Sequence, residues 1–267
     1  MEQIFVLIGI ALILGFVSSF LGIGGGSIAV PVLYAAFPES SPIEVIAISL
    51  GSIFLIANLN LIQFSKHKVL PSKNQIPLMA FACLVGGLIG SEIITGIDPL
   101  LMKKIFGVIL ILLALKASLQ KKKDLGEKRN ESVPNRQMLV ISFSGALLSS
   151  LTGLGGGIIF TPAFLEVSKL KIQKVAPYSN LAMVFATGFG VAPHLLSIPI
   201  RPPGISIPYL DFLQIGYLNV SVVVFLALGS LLSSPLGVKY NQRVSPERKR
   251  QILIAILAIL ALKTLLS

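Results

Sequence analysis

The chain is a succession of long apolar blocks separated by short polar joints. Each block runs for roughly 18 to 25 residues without alternation, the length an α-helix needs to cross a hydrocarbon core of about 30 Å. The segments fall at 4–37, 43–64, 76–95 and 100–119, and again at 138–166, 172–199, 210–236 and 248–266. The first segment of each set is interrupted by glycines. Membrane-barrel strands would alternate polar and apolar positions over stretches of about ten residues, so strands are not expected here. The pattern predicts an all-α integral membrane protein. Composition agrees: 54% of the 267 residues are hydrophobic and 12% charged, against about 25% charged in soluble domains. So little charge cannot coat a soluble globule.

The chain reads as one unit used twice. Ser18-Ser19-Phe20-Leu21-Gly22-Ile23-Gly24-Gly25-Gly26-Ser27-Ile28 leads to Pro31. Ser149-Ser150-Leu151-Thr152-Gly153-Leu154-Gly155-Gly156-Gly157-Ile158-Ile159 leads to Pro162, each position 131 residues after its match. A second echo closes the halves. Asp98-Pro99 leads to Leu113-Ala114-Leu115-Lys116, and Ser245-Pro246 leads to Leu260-Ala261-Leu262-Lys263. The expected division is a first repeat at 1–120, a charged cytoplasmic linker at 121–136 and a second repeat at 137–267.

Consecutive glycines oppose helix, each by about 1 kcal/mol against alanine. In a bilayer, a break is tolerated only where the freed backbone is buried in protein or lines a wet cavity. Two architectures fit: a discontinuous crossing helix, or a re-entrant hairpin that leaves on its own side. Basic residues of membrane proteins collect on the cytoplasmic side. Crossing segments would divide the 22 basic residues 12 to 10, whereas re-entrant segments divide them 18 to 4. The second reading is favoured, with both termini outside, the linker inside and the second repeat inverted relative to the first.

Inverted repeats place a binding site near the midplane, where the broken segments meet. A short helix begins past each glycine run, and its N-terminal amides and dipole favour an anion. The candidate substrate-binding residues are Ser18, Ser19, Gly24, Gly25, Gly26 and Ser27 in the first half. In the second they are Ser149, Ser150, Thr152, Gly155, Gly156 and Gly157. On the helices that follow, Ser49 in one half and Tyr178, Ser179 and Asn180 in the other are candidates to line the same cavity. Such residues also serve helix packing and interhelical hydrogen bonds. The doubling of the motif favours function, whereas Gly86, Gly87 and Gly90 fit packing alone.

The remaining features are assigned structural roles. The formal charge of +11 reflects basic membrane loops, and no nucleic-acid partner is expected. Lys121, Lys122 and Lys123 belong to a solvated linker. Cys83 is a packing residue. The opening Met-Glu-Gln, without a positive n-region, argues against a cleaved signal peptide. His67 and His194 stand at helix ends, and Glu92 and Glu166 at segment ends; an interfacial role is expected, with proton coupling as the alternative. No nucleotide-binding motif, nucleophile elbow or metal-ligand spacing occurs, so neither an enzyme nor a cofactor or metal is expected.

The duplicated glycine motif at 18–31 and 149–162, the Ala-x-Ser-Leu stretch at 47–50, His67, the glycine-rich 86–90 and the Phe106-Gly107 helix together resemble the sulfite exporter TauE/SafE family, also called the toluene sulfonate uptake permeases. The resemblance covers essentially the whole chain. It implies a permease of a small sulfur-containing anion, such as sulfite or an organosulfonate, in a prokaryotic plasma membrane. Pro177-Tyr178 replaces the Ile48-Ser49 of the first half, and a proline-rich loop runs through Arg201-Pro202-Pro203-Gly204, so the second half departs from the stricter pattern. An anion channel with a similar pore, or a membrane scaffold or accessory subunit, are the alternative readings.

Overall fold

A computed structural model describes residues 2–21, 29–37, 39–65, 71–119, 130–199, 204–205 and 213–266. The helices are α1 (Glu2–Leu21), α2 (Ala29–Ala36), α3 (Pro42–Ser65), α4 (Gln75–Thr95), α5 (Pro99–Leu119), α6 (Asn135–Thr152), α7 (Gly157–Pro162), α8 (Ile172–Leu196), α9 (Val220–Arg243) and α10 (Pro246–Leu266). The order long, short, long, long, long therefore occurs twice. Among the described residues, four helices (parts of α3, α4, α8 and α9) are long and apolar enough to cross a membrane.

Two departures from expectation have local causes. The segment expected at 210–236 is not helical over 213–219. Gln214–Ile215 and Leu218–Asn219 form a small antiparallel hairpin, β1 and β2, turned at Gly216 with φ of 56°. Helix α9 starts only at Val220, where the side chain of Asn219 accepts the amide of Val222 at 3.1 Å and caps the first turn. Beyond α7, Ala163–Val167 form a π-helical turn, closed by the amide of Ser168 on the carbonyl of Ala163 at 3.2 Å.

Two ends of the molecule are defined by hydrogen bonds. At the linker end, Asn130 pairs through its backbone with Lys169 and Lys171, and the side chain of Gln75 donates to the carbonyl of Val133 at 2.5 Å. Helices α4, α6 and α8 all begin here. The carboxylate of Glu131 bridges Lys171 and Lys174 across this end. Hydrogen bonding to Lys171 and then Lys174 holds its carboxyl down to about 2. At the opposite end α3 and α9 begin and α8 finishes, crossed by residues 204–205. This is called the strap end below.

The packing exchanges helices between the expected halves. Helix α1 lies along α9, and α6 lies along α4, while α3 packs on α8 and α5 on α10. Small residues permit the close approach. A β-carbon at Gly90 would lie 2.6 Å from the carbonyl oxygen of Leu147 and 2.9 Å from Cβ of Ser150. A β-carbon at Gly237 would collide in the same way with the carbonyl of Phe16 and Cβ of Ser19. The thiol of Cys83 approaches the carbonyl of Ser142 at 3.6 Å, as the hydroxyl of Ser230 approaches that of Ala11 at 3.2 Å. In both pairs contacts advance in the same direction along the two helices, so α1 runs parallel to α9 and α6 parallel to α4.

The buried apolar side chains form two clusters. One joins α1, α2, the start of α3 and α9, and includes Leu33, Ile48 and Leu226. The other joins α4, α6, α7 and α8 around Phe160, Phe164 and Tyr178. Large apolar residues also face outward, among them Phe5, Phe81, Val140, Leu232 and Ile259. An exposed apolar surface of this extent is what lipid requires of a membrane protein.

Candidate functional site

The second glycine motif folds as a turn between two helix ends. Gly153, Gly155 and Gly156 have φ of 69°, 65° and 77°, the left-handed region that only glycine enters without strain. Gly153 ends α6 by donating its amide to the carbonyl of Ser149 at 2.8 Å, and Gly156 precedes the first residue of α7. The hydroxyl of Thr152 donates to the carbonyl of Leu148 at 2.6 Å and accepts the amide of Leu154 at 3.3 Å. The freed backbone is thus partly satisfied from within the motif.

The turn is seated on α3. Ser49 donates its hydroxyl to the carbonyl of Gly153 at 2.7 Å. A β-carbon on Gly153 would lie 3.0 Å from Ile46, and one on Gly155 would lie 2.5 and 2.7 Å from atoms of Ile53. Ile46 to Ile53 lie about 6 to 17 Å along α3 from Pro42 at the usual helical rise, so the turn sits inside the packed bundle. Phe160 covers it from behind, because β-carbons at either Gly145 or Gly156 would enter its ring.

Two hydroxyls in the last turn of α6 stand out. Ser149 and Ser150 are wholly buried and have no hydrogen-bond partner. A serine inside a membrane helix ordinarily donates to the carbonyl four residues back, as Ser52 does to Ile48 at 2.8 Å and Thr187 to Met183 at 2.7 Å. Ser149 and Ser150 do not.

The other candidates divide into groups. Ser179 receives a long contact from the hydroxyl of Thr161, 3.4 Å, which links α7 to α8. Asn180 donates to the carbonyl of Ala176 and accepts from Asn60 at 3.3 Å. Tyr178 turns toward the linker end, where its hydroxyl donates to Gln75 at 3.1 Å and its ring meets Phe164 edge-on. Ser19 is bonded to Ser234 at 2.6 Å. Gly24, Gly25, Gly26 and Ser27, the side chain of Ser18, and His67 lie outside the described residues. His194 is wholly buried, with both ring nitrogens lacking a partner. Among the described residues, no group of three His, Cys, Asp or Glu side chains could hold a metal ion.

Sequence reasoning passed over Glu44. Ser41-Pro42-Ile43-Glu44 has the form of a capping box, and the amide of Glu44 does bond to the hydroxyl of Ser41 at 3.2 Å. The carboxylate, 4% exposed, reaches across the molecule instead. It accepts the amides of Gly204 at 3.1 Å and Ile205 at 2.9 Å. Asn219 donates to the carbonyl of Ile205 at 3.4 Å, so the strap is tied to both α3 and α9, at the end nearest the glycine turn.

The chain is similar in sequence to known membrane proteins. The family model described as "Sulfite exporter TauE/SafE" matches residues 7–264. A "Probable membrane transporter protein" of Haemophilus influenzae is 32% identical over 262 residues, covering 97% of this chain and 95% of the relative. Proteins described in the same words from Methanocaldococcus jannaschii and Bacillus subtilis are 27% and 23% identical, with coverage of 97% and 96% of this chain and 94% of each relative.

Proposed function

The chain belongs to the sulfite exporter TauE/SafE family, whose members are membrane transporters and not enzymes, and on that premise we propose that it is a secondary permease of a small sulfur-containing anion, sulfite or an organosulfonate, in a prokaryotic plasma membrane. The observation that carries this reading is the glycine turn at 153–156, held on α3 by Ser49 and preceded by two buried hydroxyls without partners. A buried donor without an acceptor is costly and is accounted for when a substrate oxygen completes it. Among the residues whose burial is described no lysine or arginine is buried, so neutral donors would hold the anion. Gly24, Gly25 and Gly26 repeat the same motif in the first half of the sequence.

The chain is read as two inverted repeats with re-entrant glycine segments. Three observations support this. Helices α6 and α8 begin at one end, with α7 between them, and the strap end holds the starts of α3 and α9. The parallel pairs α1–α9 and α6–α4 interchange under a two-fold relation of the halves. The basic residues divide 18 to 4 only if both glycine segments return to their own side. The linker is then cytoplasmic and both termini external. A cysteine placed at Gln3 that reacts only from the cytoplasmic face would overturn this topology.

The functional test is uptake of radiolabelled sulfite into liposomes holding the purified protein, with sulfate, thiosulfate and small sulfonates as competitors, with and without a pH gradient. Saturable uptake that is lost in the Gly25→Leu, Gly156→Leu double variant supports the permease. Non-saturating flux means a channel. No flux with any of these anions, beside an active control transporter, removes the substrate class.

A further inference from the structure

The two helix pairs repeat one interface, and they differ at one position that bears on the site proposed above. Gly90 stands to Leu147 and Ser150 as Gly237 stands to Phe16 and Ser19. Cys83 stands to Ser142 as Ser230 stands to Ala11. The α6 residues in these contacts lie 131 residues after their α1 counterparts, and the α9 residues 147 after those of α4, so the two interfaces share a register. Three residues before Gly237 is Ser234, and three residues before Gly90 is Gly87.

That difference falls opposite the motif serine. In the α1–α9 pair, Ser234 is present, and its hydroxyl bonds to that of Ser19 at 2.6 Å. In the α4–α6 pair the equivalent position has no side chain, and the hydroxyl of Ser150 is fully buried without a partner. Glycines surround it. A β-carbon on Gly190 of α8 would meet this hydroxyl, and one on Gly90 would meet its Cβ. Gly87 itself abuts the backbone of Gly190, 3.2 Å from where its own β-carbon would be.

We propose that the site is functionally asymmetric: Ser150 is a substrate-contacting donor, kept available by Gly87, whereas its counterpart Ser19 is a structural residue engaged by Ser234. This rests on the permease reading and adds which half supplies the hydroxyl. Ser150 lies one turn before Gly153, so its donor belongs to the break that α3 holds. Its chemistry suits an oxyanion, because a neutral O–H aimed at an anionic oxygen makes a charge-assisted hydrogen bond without a buried cation. In the conformation described here the hydroxyl is covered, and alternating access would open it to one side at a time.

The test compares uptake and melting in the full-length protein. Gly87→Ser gives Ser150 the partner that Ser19 has, and KM for the transported anion should rise about tenfold or more, the loss expected for a hydrogen bond to a charged group. Ser150→Ala should raise it by a similar factor. Gly87→Ala adds the same β-carbon without the hydroxyl and controls for crowding against Gly190, so its KM should stay within about threefold of the parent. A second readout needs no substrate. Without anion, Ser150→Ala should melt a few degrees above the parent, since it removes an unsatisfied buried group, while Ser234→Gly should melt below it. An unchanged KM in Ser150→Ala, or a melting point below the parent, overturns the assignment. Equal effects of Gly87→Ser and Gly87→Ala overturn the role of Gly87. If the parent protein carries none of the anions, the permease reading falls, and the melting pair then decides the asymmetry by itself.

Discussion

Glu44 offers the sharpest test of the architecture, because one side chain in α3 holds a segment 160 residues away. Glu44→Ala removes two hydrogen bonds to a carboxylate, those from Gly204 and Ile205. Hydrogen bonds to charged groups contribute about 1.5 to 3 kcal/mol each. Gly204 is exposed, so its amide can turn to water, whereas Ile205 is wholly buried and its amide is left without an acceptor. The expected loss is therefore about 2 to 4 kcal/mol. Glu44→Gln keeps the shape and one good acceptor, and should lose about half as much. Melting can be followed in detergent with a thiol-reactive fluorophore, because Cys83, the single cysteine, is wholly buried until the bundle opens. At about 2 to 4 °C per kcal/mol for chains of this size, Glu44→Ala should melt roughly 5 to 15 °C below the parent. A melting point within 1 °C of the parent, with Glu44→Gln also unchanged, would show that the carboxylate does not hold the strap.

Three further outcomes follow from the site and the linker. Gly155→Ala forces a side-chain residue to φ of 65° and into Ile53. It should lose about 2 to 4 kcal/mol from left-handed strain and overpacking together, read by the same melt. Phe160→Ala empties a wholly buried ring position behind the turn and should cost about 3 to 5 kcal/mol, with uptake falling along with stability. Glu131 is a pH prediction. Its carboxyl titrates at about 2 in the fold against an ordinary 4.5. The linker contact is therefore complete above the ordinary value and is lost as pH falls from about 4.5 toward 2. Amide exchange at 130–133 and 168–171 should accelerate over that window in the parent and be pH-insensitive there, after correction for intrinsic rates, in Glu131→Gln. High salt should have the same effect as acid, since the pair is exposed.

Much of the helical framework was legible from the chain. The apolar blocks at 43–64, 76–95 and 100–119 became α3, α4 and α5 with ends moved by a residue, because long uninterrupted hydrophobic runs leave little choice of element. The break after Thr152 was equally plain, since consecutive glycines cannot continue a helix cheaply. The hairpin at 214–219 was missed because Ile215, Tyr217 and Leu218 run on into the apolar helix that follows. Only Gly216 and the cap at Asn219 mark the boundary. Glu44 was overlooked for a different reason. Its sequence context is a helix cap, and nothing local says that the carboxylate will serve a distant strap. Tyr178 occupies the place of a cavity residue in the repeat, yet its hydroxyl is engaged by Gln75. The state of Ser19 and Ser150 was not readable at all, because identical motif residues differ only through what stands opposite them on another helix.

The exchange of helices between halves bears on how the protein is made. Helix α1 is made well before α9, but the surface that receives Gly15 and Ser19 belongs to α9, with Ser230 reaching Ala11 across a separation of 219 residues. At a synthesis rate of about 5 to 20 residues per second, α1 waits roughly 10 to 40 s with its small-residue face turned to lipid or to a temporary helper. Helix α6, by contrast, finds α4 already inserted and can dock on arrival. Assembly is therefore lopsided: α6 can dock while the chain is still growing, whereas α1 must wait until α9 has been made.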